Sequence, residues 1–277
     1  MKLLNQYIVM VTLGLICSVQ LAHADLLKTI KPNFSTTEIH YQYGNQDNPF
    51  TKQKNHTTVI TTQNASLWDW GSTFFFVDYS KDNNESDGSN FNDENIYLEA
   101  YLNLSFNALF GEHFHKGVLK DVGFIIGTNY SRDPKVVKYT PGIRLAWDVP
   151  GFTYLNTDIL SYLDRSAGKR KNAANAPAED DSWFIDMNYL YPFSIKDQKF
   201  MITGHAEFMK GRELDDIITG TKKDWFLAQT QIRWDVGNAL FSKPDKFYIG
   251  TEYQYWNNKL GTDVDEHMAQ ALAVVRF

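Results

Sequence analysis

The sequence predicts an all-β fold, a twelve-stranded antiparallel transmembrane β-barrel whose N- and C-termini lie on the periplasmic side. Three observations indicate it: long stretches in which apolar and polar residues alternate, an even number of such stretches, and connections that alternate between long and short. Alternation with a period of two places successive side chains on opposite faces of a strand. In a membrane barrel one face meets lipid and the other lines the lumen.

The first 24 residues are typical of a secretory signal peptide. Lys2 precedes an apolar run from Tyr7 to Val19, and Ala22-His23-Ala24 offers a small-residue cleavage site. The run is shorter than the roughly 20 apolar residues that a membrane-spanning helix needs. We therefore expect residues 1–24 to be removed and residues 25–277 to form a single barrel domain.

Composition excludes several classes of function. Cys17 is the only cysteine and lies in the predicted signal peptide, so the exported chain has neither a disulfide nor a thiol for catalysis. The formal net charge is -6 and there is no basic stripe, which argues against nucleic acid as a partner. No CxxC, phosphate-binding loop or zincin motif occurs, and we expect no cofactor, no metal and no catalytic residue.

The clearest strand runs from residue 96 to residue 106. Apolar side chains occupy its even positions, and Tyr97, Glu99 and Tyr101 are among the odd ones. This length matches a strand that crosses a bilayer at a tilt, whereas strands of globular proteins are most often about 5–6 residues long. Similar stretches lie near residues 35–44, 54–63, 68–80, 122–130, 139–147, 152–163, 183–189, 200–208, 226–234, 247–255 and 268–277.

The connections between these stretches sort by length. Alternate connections are long, polar and charged, among them residues 81–94 and 165–180, while others are tight, such as Val149–Gly151. Long outer loops, short periplasmic turns and an even strand count are typical of barrels in the bacterial outer membrane. Charged runs in the long connections, including Glu179–Asp181, are interpreted as solvated loop tips without chemistry of their own.

Aromatic side chains gather near the predicted strand ends, where amphipathic rings sit at the level of the lipid headgroups. They are Trp68, Trp70, Tyr130, Trp147, Trp183, Trp234, Tyr255 and Trp256. Phe277 ends the last strand on the same face as Val275 and Ala273, a pattern that resembles the signal read by the outer-membrane assembly machinery. We expect the lipid bilayer, lipopolysaccharide and that machinery as partners.

The inward faces of the predicted strands carry charges of both signs. Twelve strands enclose more space than a packed eight-stranded barrel and less than a 16-stranded porin, so we expect a narrow, lined passage. Mixed signs argue against a simple anion or cation pore, and ion pairs within the lumen are an alternative explanation of the charges. The candidates for solute contact are Glu99, Tyr101, Arg144, Asp186, His205, Glu207, Arg233 and Glu252, with Asp158 and Arg276 on the same face.

The stretch Trp68–Ser80 carries aromatic residues on both of its faces. Thr73, Phe75, Val77 and Tyr79 form one face, which we assign to lipid, and Trp70, Ser72, Phe74, Phe76 and Asp78 form the inward one. Inward rings beside a carboxylate suit a solute with a flat apolar part and a hydroxylated part, since rings stack on a base and a carboxylate accepts from sugar hydroxyls. Alternatively, Phe74 and Phe76 fill the barrel, or face lipid in the opposite register.

Three segments carry a resemblance to a known family. They resemble the opening hairpin, the fourth strand and the closing hairpin of the Tsx-type nucleoside-specific channel family, including its OmpK-like branch: TTVITTQNASLWDWGSTFFFVDYS (Thr57–Ser80), IYLEAYLNLSF (Ile96–Phe106) and FYIGTEYQYWNNKLGTDVDEHMAQALAVVRF (Phe247–Phe277). The resemblance implies a monomeric twelve-stranded outer-membrane barrel that admits nucleosides and whose relatives also serve as phage receptors. Residues 165–222 match the family less clearly.

The sequence therefore predicts an outer-membrane channel for passive, substrate-selective uptake of small solutes, with nucleosides as the favoured solute. One alternative is a barrel that acts through its outer loops, as a phage receptor or in adhesion. The other is a lipase-like membrane enzyme, which would need a Ser nucleophile and a His base. His205 and Glu207 share one strand face and are interpreted as a lumen ion pair, and His113 with His115 as an adventitious metal contact at most.

Overall fold

The computed structural model describes residues 31–82, 94–111 and 114–277. The predicted signal peptide, most of the connection at 81–94 and His113 lie outside the described residues.

Fifteen strands make up most of the described chain, together with two short helices and one 3-10 turn. The strands are β1 Phe34–Asp47, β2 Lys54–Trp68, β3 Gly71–Asp82, β4 Glu94–Ser105, β5 Leu119–Ser131, β6 Val136–Tyr139, β7 Gly142–Trp147, β8 Tyr154–Asp164, β9 Ser182–Ile195, β10 Gln198–Met209, β11 Arg212–Glu213, β12 Thr221–Lys222, β13 Trp225–Asp235, β14 Phe247–Asn257 and β15 Glu266–Arg276. The helices are α1 Phe106–Phe110 and α2 Val236–Phe241, and the 3-10 turn is Lys259–Gly261.

The strands close into an antiparallel barrel. The wall follows the chain order, except that β10 pairs with β13 and the β11–β12 hairpin stands apart from the wall. β1 also pairs with β15, with Ile39 opposite Val275, which joins the first strand to the last. Both β6 and β7 pair with β5 on one side and with β8 on the other, so they share one position in the wall. Thirteen strands in this sheet thus occupy twelve positions, and the predicted twelve-stranded barrel is confirmed.

Pro141 explains why one wall position is split between β6 and β7. Proline has no backbone N–H and cannot donate to a sheet ladder. Thr140, just before it, still exchanges two backbone hydrogen bonds with Gly127 of β5, at 2.9 and 3.1 Å. The wall therefore stays closed on that side although regular pairing is interrupted.

The two faces of the wall differ as the alternation predicts. Along β15, buried inward residues and exposed outward residues alternate from Glu266 to Val275. Exposed apolar side chains cover the outside all round the barrel: Ile39, Ile60, Phe75, Phe124, Ile126, Ile143, Ile159, Ile185, Ile232 and Ile249. A continuous apolar band of this kind is the lipid-facing surface of a membrane barrel. Among the described residues, no helix is both long and apolar enough to cross a membrane.

The ends of the barrel are unlike each other. The turn end holds the start of β1, the end of β15, short turns such as Asp69-Trp70 and Lys196-Asp197, and both helices. At this end Trp70 stacks on Trp68, with ring centroids 5.5 Å apart, so the prediction that Trp70 faces the lumen is wrong: the ring belongs to the rim. The prediction that Trp256 lies in the aromatic girdle is also wrong, because this residue is buried in an apolar cluster inside the barrel.

The loop end carries the long connections, including residues 165–181 and the β11–β12 hairpin. Glu179, predicted to be a solvated loop tip, is instead buried and ion-paired at 2.6–2.8 Å with Lys138, Arg212 and Lys222. We call these four residues the loop hub. Burial by itself raises the pKa of Glu179, but the adjacent Lys222, Arg212 and Lys138 more than offset this and hold the pKa well below its usual range.

Candidate functional site

The lumen brings together all eleven side chains that the sequence selected for solute contact. Each makes its hydrogen bonds or ring contacts with other inward residues. They are Phe74, Phe76, Asp78, Glu99, Tyr101, Arg144, Asp186, His205, Glu207, Arg233 and Glu252. The structure sorts them into groups with different partners, and these groups lie at different depths of the barrel.

An aromatic face lies on β3 and β4. Phe76 contacts Phe74 along β3 and Tyr97 across the strand pair, with ring centroids 6.1 and 5.9 Å apart. Phe75 between them points outward and is 39% exposed, so the predicted division of the three phenylalanines is confirmed. Asp78, two residues beyond Phe76, accepts a hydrogen bond from the Thr61 hydroxyl at 2.6 Å.

Six carboxyl groups surround the middle of the lumen: Asp78, Glu99, Asp158, Asp186, Glu207 and Glu252. We call them the carboxylate belt. Neutral side chains link several of them into a network. The Gln42 amide donates to Glu252 at 2.7 Å, and the Thr61 hydroxyl lies 3.3 Å from the Gln42 carbonyl oxygen and 2.6 Å from Asp78.

Tyr101 reaches the belt because the residue opposite it on β5 is a glycine. Its ring lies over Gly127, the residue directly opposite on β5, where an added Cβ would lie 2.4 Å from ring atoms. From this position the Tyr101 hydroxyl donates to Glu99 at 2.8 Å. A strand glycine that admits a neighbouring ring is a common device in barrels.

A second group of charges lies near the turn end. Glu38 accepts from Arg233 at 2.9 Å and from Arg276 at 2.7 Å, and His40 lies 2.8 Å from the same carboxylate. The Glu38 and Arg233 side chains are almost fully buried. Arg233 is therefore engaged in an ion cluster within the lumen, in line with the alternative explanation of the lumen charges as ion pairs.

An apolar cluster fills one side of the lumen toward the loop end. It consists of Ile125, Leu160, Tyr162, Phe184, Met209, Trp225, Leu227 and Trp256. The guanidinium of Arg212, from the loop hub, lies 4.8 Å from the Tyr162 ring centroid and 4.9 Å from that of Trp225. Cation–π contacts of this kind tie the hub to the cluster. The hub and the cluster are therefore in direct contact inside the barrel near its loop end.

Glu38, His40 and the apolar cluster were not among the residues selected from the sequence. The signal was nevertheless present, because Leu160 and Phe184 stand at inward positions of strands whose alternation was recognised. Glu38 and His40 likewise occupy the polar face of the first predicted strand. What alternation does not reveal is which inward residues meet across the barrel.

One trio in the belt has the geometry to hold a metal ion. Ligand atoms of Asp186, His205 and Glu207 all lie within 4.8 Å of one another, the one such group among the described residues. Imidazole with two carboxylates suits zinc and similar cations. In the structure, however, the two ring nitrogens of His205 already contact Asp186 at 2.9 Å and Gln229 at 2.8 Å. The ion pair of His205 is therefore with Asp186 and not, as predicted, with Glu207. Arg144 forms the neighbouring bidentate pair with Asp158, at 2.7 and 2.6 Å.

Solved outer-membrane channels share this architecture. The COG4313 outer membrane channel from Pseudomonas putida F1 is 9% identical with a TM-score of 0.53, over 90% of this chain and 97% of that one. The NanC porin is 13% identical with a TM-score of 0.49, over 86% and 98%. The KdgM porin is 9% identical with a TM-score of 0.46, over 87% and 99%. No family model and no curated protein matches the chain.

At these identities the likeness shows the fold alone. The apolar band and the closed wall indicate a membrane location. An apolar surface of this kind is stable only in lipid, and closure of the wall leaves none of its strand edges unpaired. The protein is a bacterial outer-membrane β-barrel. The predicted localisation is thereby confirmed, whereas the nucleoside-specific family suggested by the sequence is not.

Proposed function

We propose that the protein is a passive channel that admits small solutes across the outer membrane, and that nucleosides are its favoured solutes. The observation that carries the proposal is the aromatic face of Phe74, Phe76 and Tyr97 beside the Asp78 carboxyl, inside a membrane barrel. The resemblance of Thr57–Ser80 to the nucleoside-channel family supports the same solute.

The chemistry of this face fits the two halves of a nucleoside. A nucleobase presents a flat π-face that stacks on aromatic rings regardless of its hydrogen-bonding edge, a contact worth about 1–3 kcal/mol per base. The ribose presents hydroxyl donors, for which the Asp78 carboxyl is an acceptor. Phe76 and Asp78 are two residues apart on one strand face, so a single solute can reach both.

We further propose that the barrel works as a monomer without enzymatic activity, with both termini on the periplasmic side. Among the described residues, none of the histidine hydrogen bonds goes to a serine, which a lipase-like site would require. Short turns gather at the end where β1 begins and β15 ends, and short turns face the periplasm in bacterial barrels.

The test is single-channel recording of the refolded protein in planar bilayers. We expect a small conductance that adenosine or thymidine reduces more strongly than sugars of similar size do. Equal block by nucleosides and sugars would refute the nucleoside part of the proposal. A correctly folded barrel without any conductance would refute the channel itself.

A further inference from the structure

The strand register brings Asp186, His205 and Glu207 together on the lumen wall. His205 and Glu207 are two residues apart on β10, so their side chains share its inward face. Asp186 on β9 stands directly opposite Glu207. Like charges in directly opposed positions destabilise a strand pair, and a cation between the two carboxylates offsets their repulsion. The register therefore prepares a place for a cation beside an imidazole ring.

A chain of side-chain hydrogen bonds fixes the hydrogen on one ring nitrogen of His205. Glu266 is fully buried and accepts from Lys259 at 2.9 Å through both of its oxygens. Gln254 therefore donates its amide nitrogen to Glu266 at 2.8 Å, and its oxygen accepts from the Gln229 nitrogen at 2.9 Å. The Gln229 oxygen then lies 2.8 Å from Nε2 of His205. Nε2 must donate in this contact, because a carbonyl oxygen is an acceptor only.

The other ring nitrogen, Nδ1, faces a carboxylate. It lies 2.9 Å from an oxygen of Asp186. Because Nε2 carries a hydrogen, Nδ1 of the neutral ring presents a lone pair. Two acceptors at this distance need a positive charge between them, which is either a proton or a metal ion. Ligand atoms about 2.0–2.2 Å from one zinc ion, at bond angles of about 90–110°, lie about 2.9–3.4 Å apart. The observed separation is compatible with that range.

Each of the three side chains also has a hydrogen-bond partner outside the trio. Nε2 of His205 donates to the amide oxygen described above. Asn188 donates to the second oxygen of Asp186 at 3.1 Å, and the Trp225 indole donates to Glu207 at 3.3 Å. Metal-binding histidines almost always donate their other ring N–H to an oxygen or to water, and ligating carboxylates are themselves hydrogen-bonded. The trio is therefore oriented in the manner of a metal site.

We propose that Asp186, His205 and Glu207 form a binding site for a divalent transition metal ion, with zinc as the ion that the ligands suit best, and that a bound ion obstructs the lumen. One imidazole nitrogen and two carboxylate oxygens are zinc ligands, and three protein ligands leave a fourth position open. The three side chains are inward and partly exposed, so that position faces the lumen. The binding part stands on the contacts alone, whereas the obstruction rests on the proposed channel function.

Zinc binding is tested by isothermal titration of the refolded barrel without an affinity tag. We expect a single ion per barrel. His205→Gln and Glu207→Gln should each weaken binding by roughly 10–100-fold or more, since loss of an outer partner already costs that much. His267→Ala, at an exposed histidine of the last strand, should bind like wild type.

Heat-modifiability on gels checks that each variant is folded, and Glu207→Gln decides should His205→Gln fail to refold. A folded wild type that does not bind zinc would overturn the proposal. Equal affinity in wild type and in a folded variant of the site would overturn it as well.

Obstruction is tested by single-channel recording before and after addition of zinc. We expect a fall in conductance that a chelator reverses, in wild type and in His267→Ala but not in His205→Gln. Bound zinc without a change in conductance would overturn the obstruction part. A barrel that binds zinc as described but carries no current under any condition would refute the proposed channel function and leave the metal site standing.

Discussion

Arg212 on β11 and Glu179 in the connection after β8 form a buried ion pair at 2.6 Å, although the two residues lie in separate loops. Lys222 on β12 and Lys138 on β6 bind the same carboxylate, at 2.6 and 2.8 Å. One acidic side chain therefore holds the two longest described connections against the barrel wall. The arrangement makes the shape of the loop end depend on Glu179.

Replacing Glu179 by Gln should release the connection at 165–181 and the β11–β12 hairpin. The change leaves Arg212 and Lys222 without their buried partner, whereas Lys138 keeps Asp164 at 3.0 Å. Breaking a buried ion pair by removing one partner costs about 3–5 kcal/mol. Because the loss is local, we expect faster tryptic cleavage at Lys169–Lys171 with little change in the melting of the barrel. Glu213→Gln in the same hairpin is the control, and equal cleavage in both variants would contradict a special role for Glu179.

The loop hub should withstand mild acid. A carboxyl group whose pKa is depressed in the folded state contributes stability that is present above its unfolded pKa, about 4.3 for Glu, and is lost as pH falls through the folded value. The pKa of Glu179 lies well below its usual range. We therefore expect protease resistance of the loops to be the same at pH 7 and pH 5 and to decline only below about pH 4. Opening between pH 7 and pH 5 would refute this.

A second carboxylate in the loops, Asp216, should also help to keep them closed in mild acid. Desolvation raises the pKa of Asp216, but four backbone N–H groups in the loops, those of Ala178, Ile217, Lys169 and Arg170, lower it to about 2. Asp216→Asn should shift loop opening to a higher pH, measurable by the same proteolysis series.

Phe76→Ala should weaken nucleoside block of the channel by about 1–3 kcal/mol, because a stacking surface for the base is lost. Phe75→Ala is a matched control on the adjacent, lipid-facing position. Both variants remove the same ring from the same strand, so a difference between them reports orientation rather than strand stability. Block constants from single-channel records measure the effect, and an unchanged constant in Phe76→Ala would mean that this ring only fills space.

Glu38→Gln should destabilise closure of the barrel. Glu38 is on β1, and its partner Arg276 is on β15, the last strand, so the ion pair at 2.7 Å spans the seam where the two ends of the chain meet. Arg233 would also lose its charged partner, and we expect a cost of about 3–5 kcal/mol. Heat-modifiability on gels and thermal melting measure it. Glu94→Gln, an exposed residue at a strand end, should melt like wild type.

The strands were predictable because alternation is a local property. Each inward or outward assignment depends only on a residue's neighbours in the chain, and lipid outside the wall enforces the pattern over the full strand length. One example is the outward side chain of Phe75 next to the inward side chain of Phe76. Another is the pair Glu99 and Tyr101, which both stand on the lumen face. The assignment of Trp70 to the lumen face was wrong because this residue stands in the turn between β2 and β3, where alternation ends.

The sequence by itself determined that the wall has twelve positions, on which face most side chains within the strands stand, and where the protein is located. Only the tertiary structure decided which inward groups meet: that Glu179 is buried against three cations, that Arg233 is committed to Glu38, and that the belt keeps carboxylates held by neutral donors. The physical reason is that these contacts join residues distant in the chain, and barrel closure and strand tilt set their depth. A periodic pattern carries no information about contacts between distant residues or about their depth in the barrel.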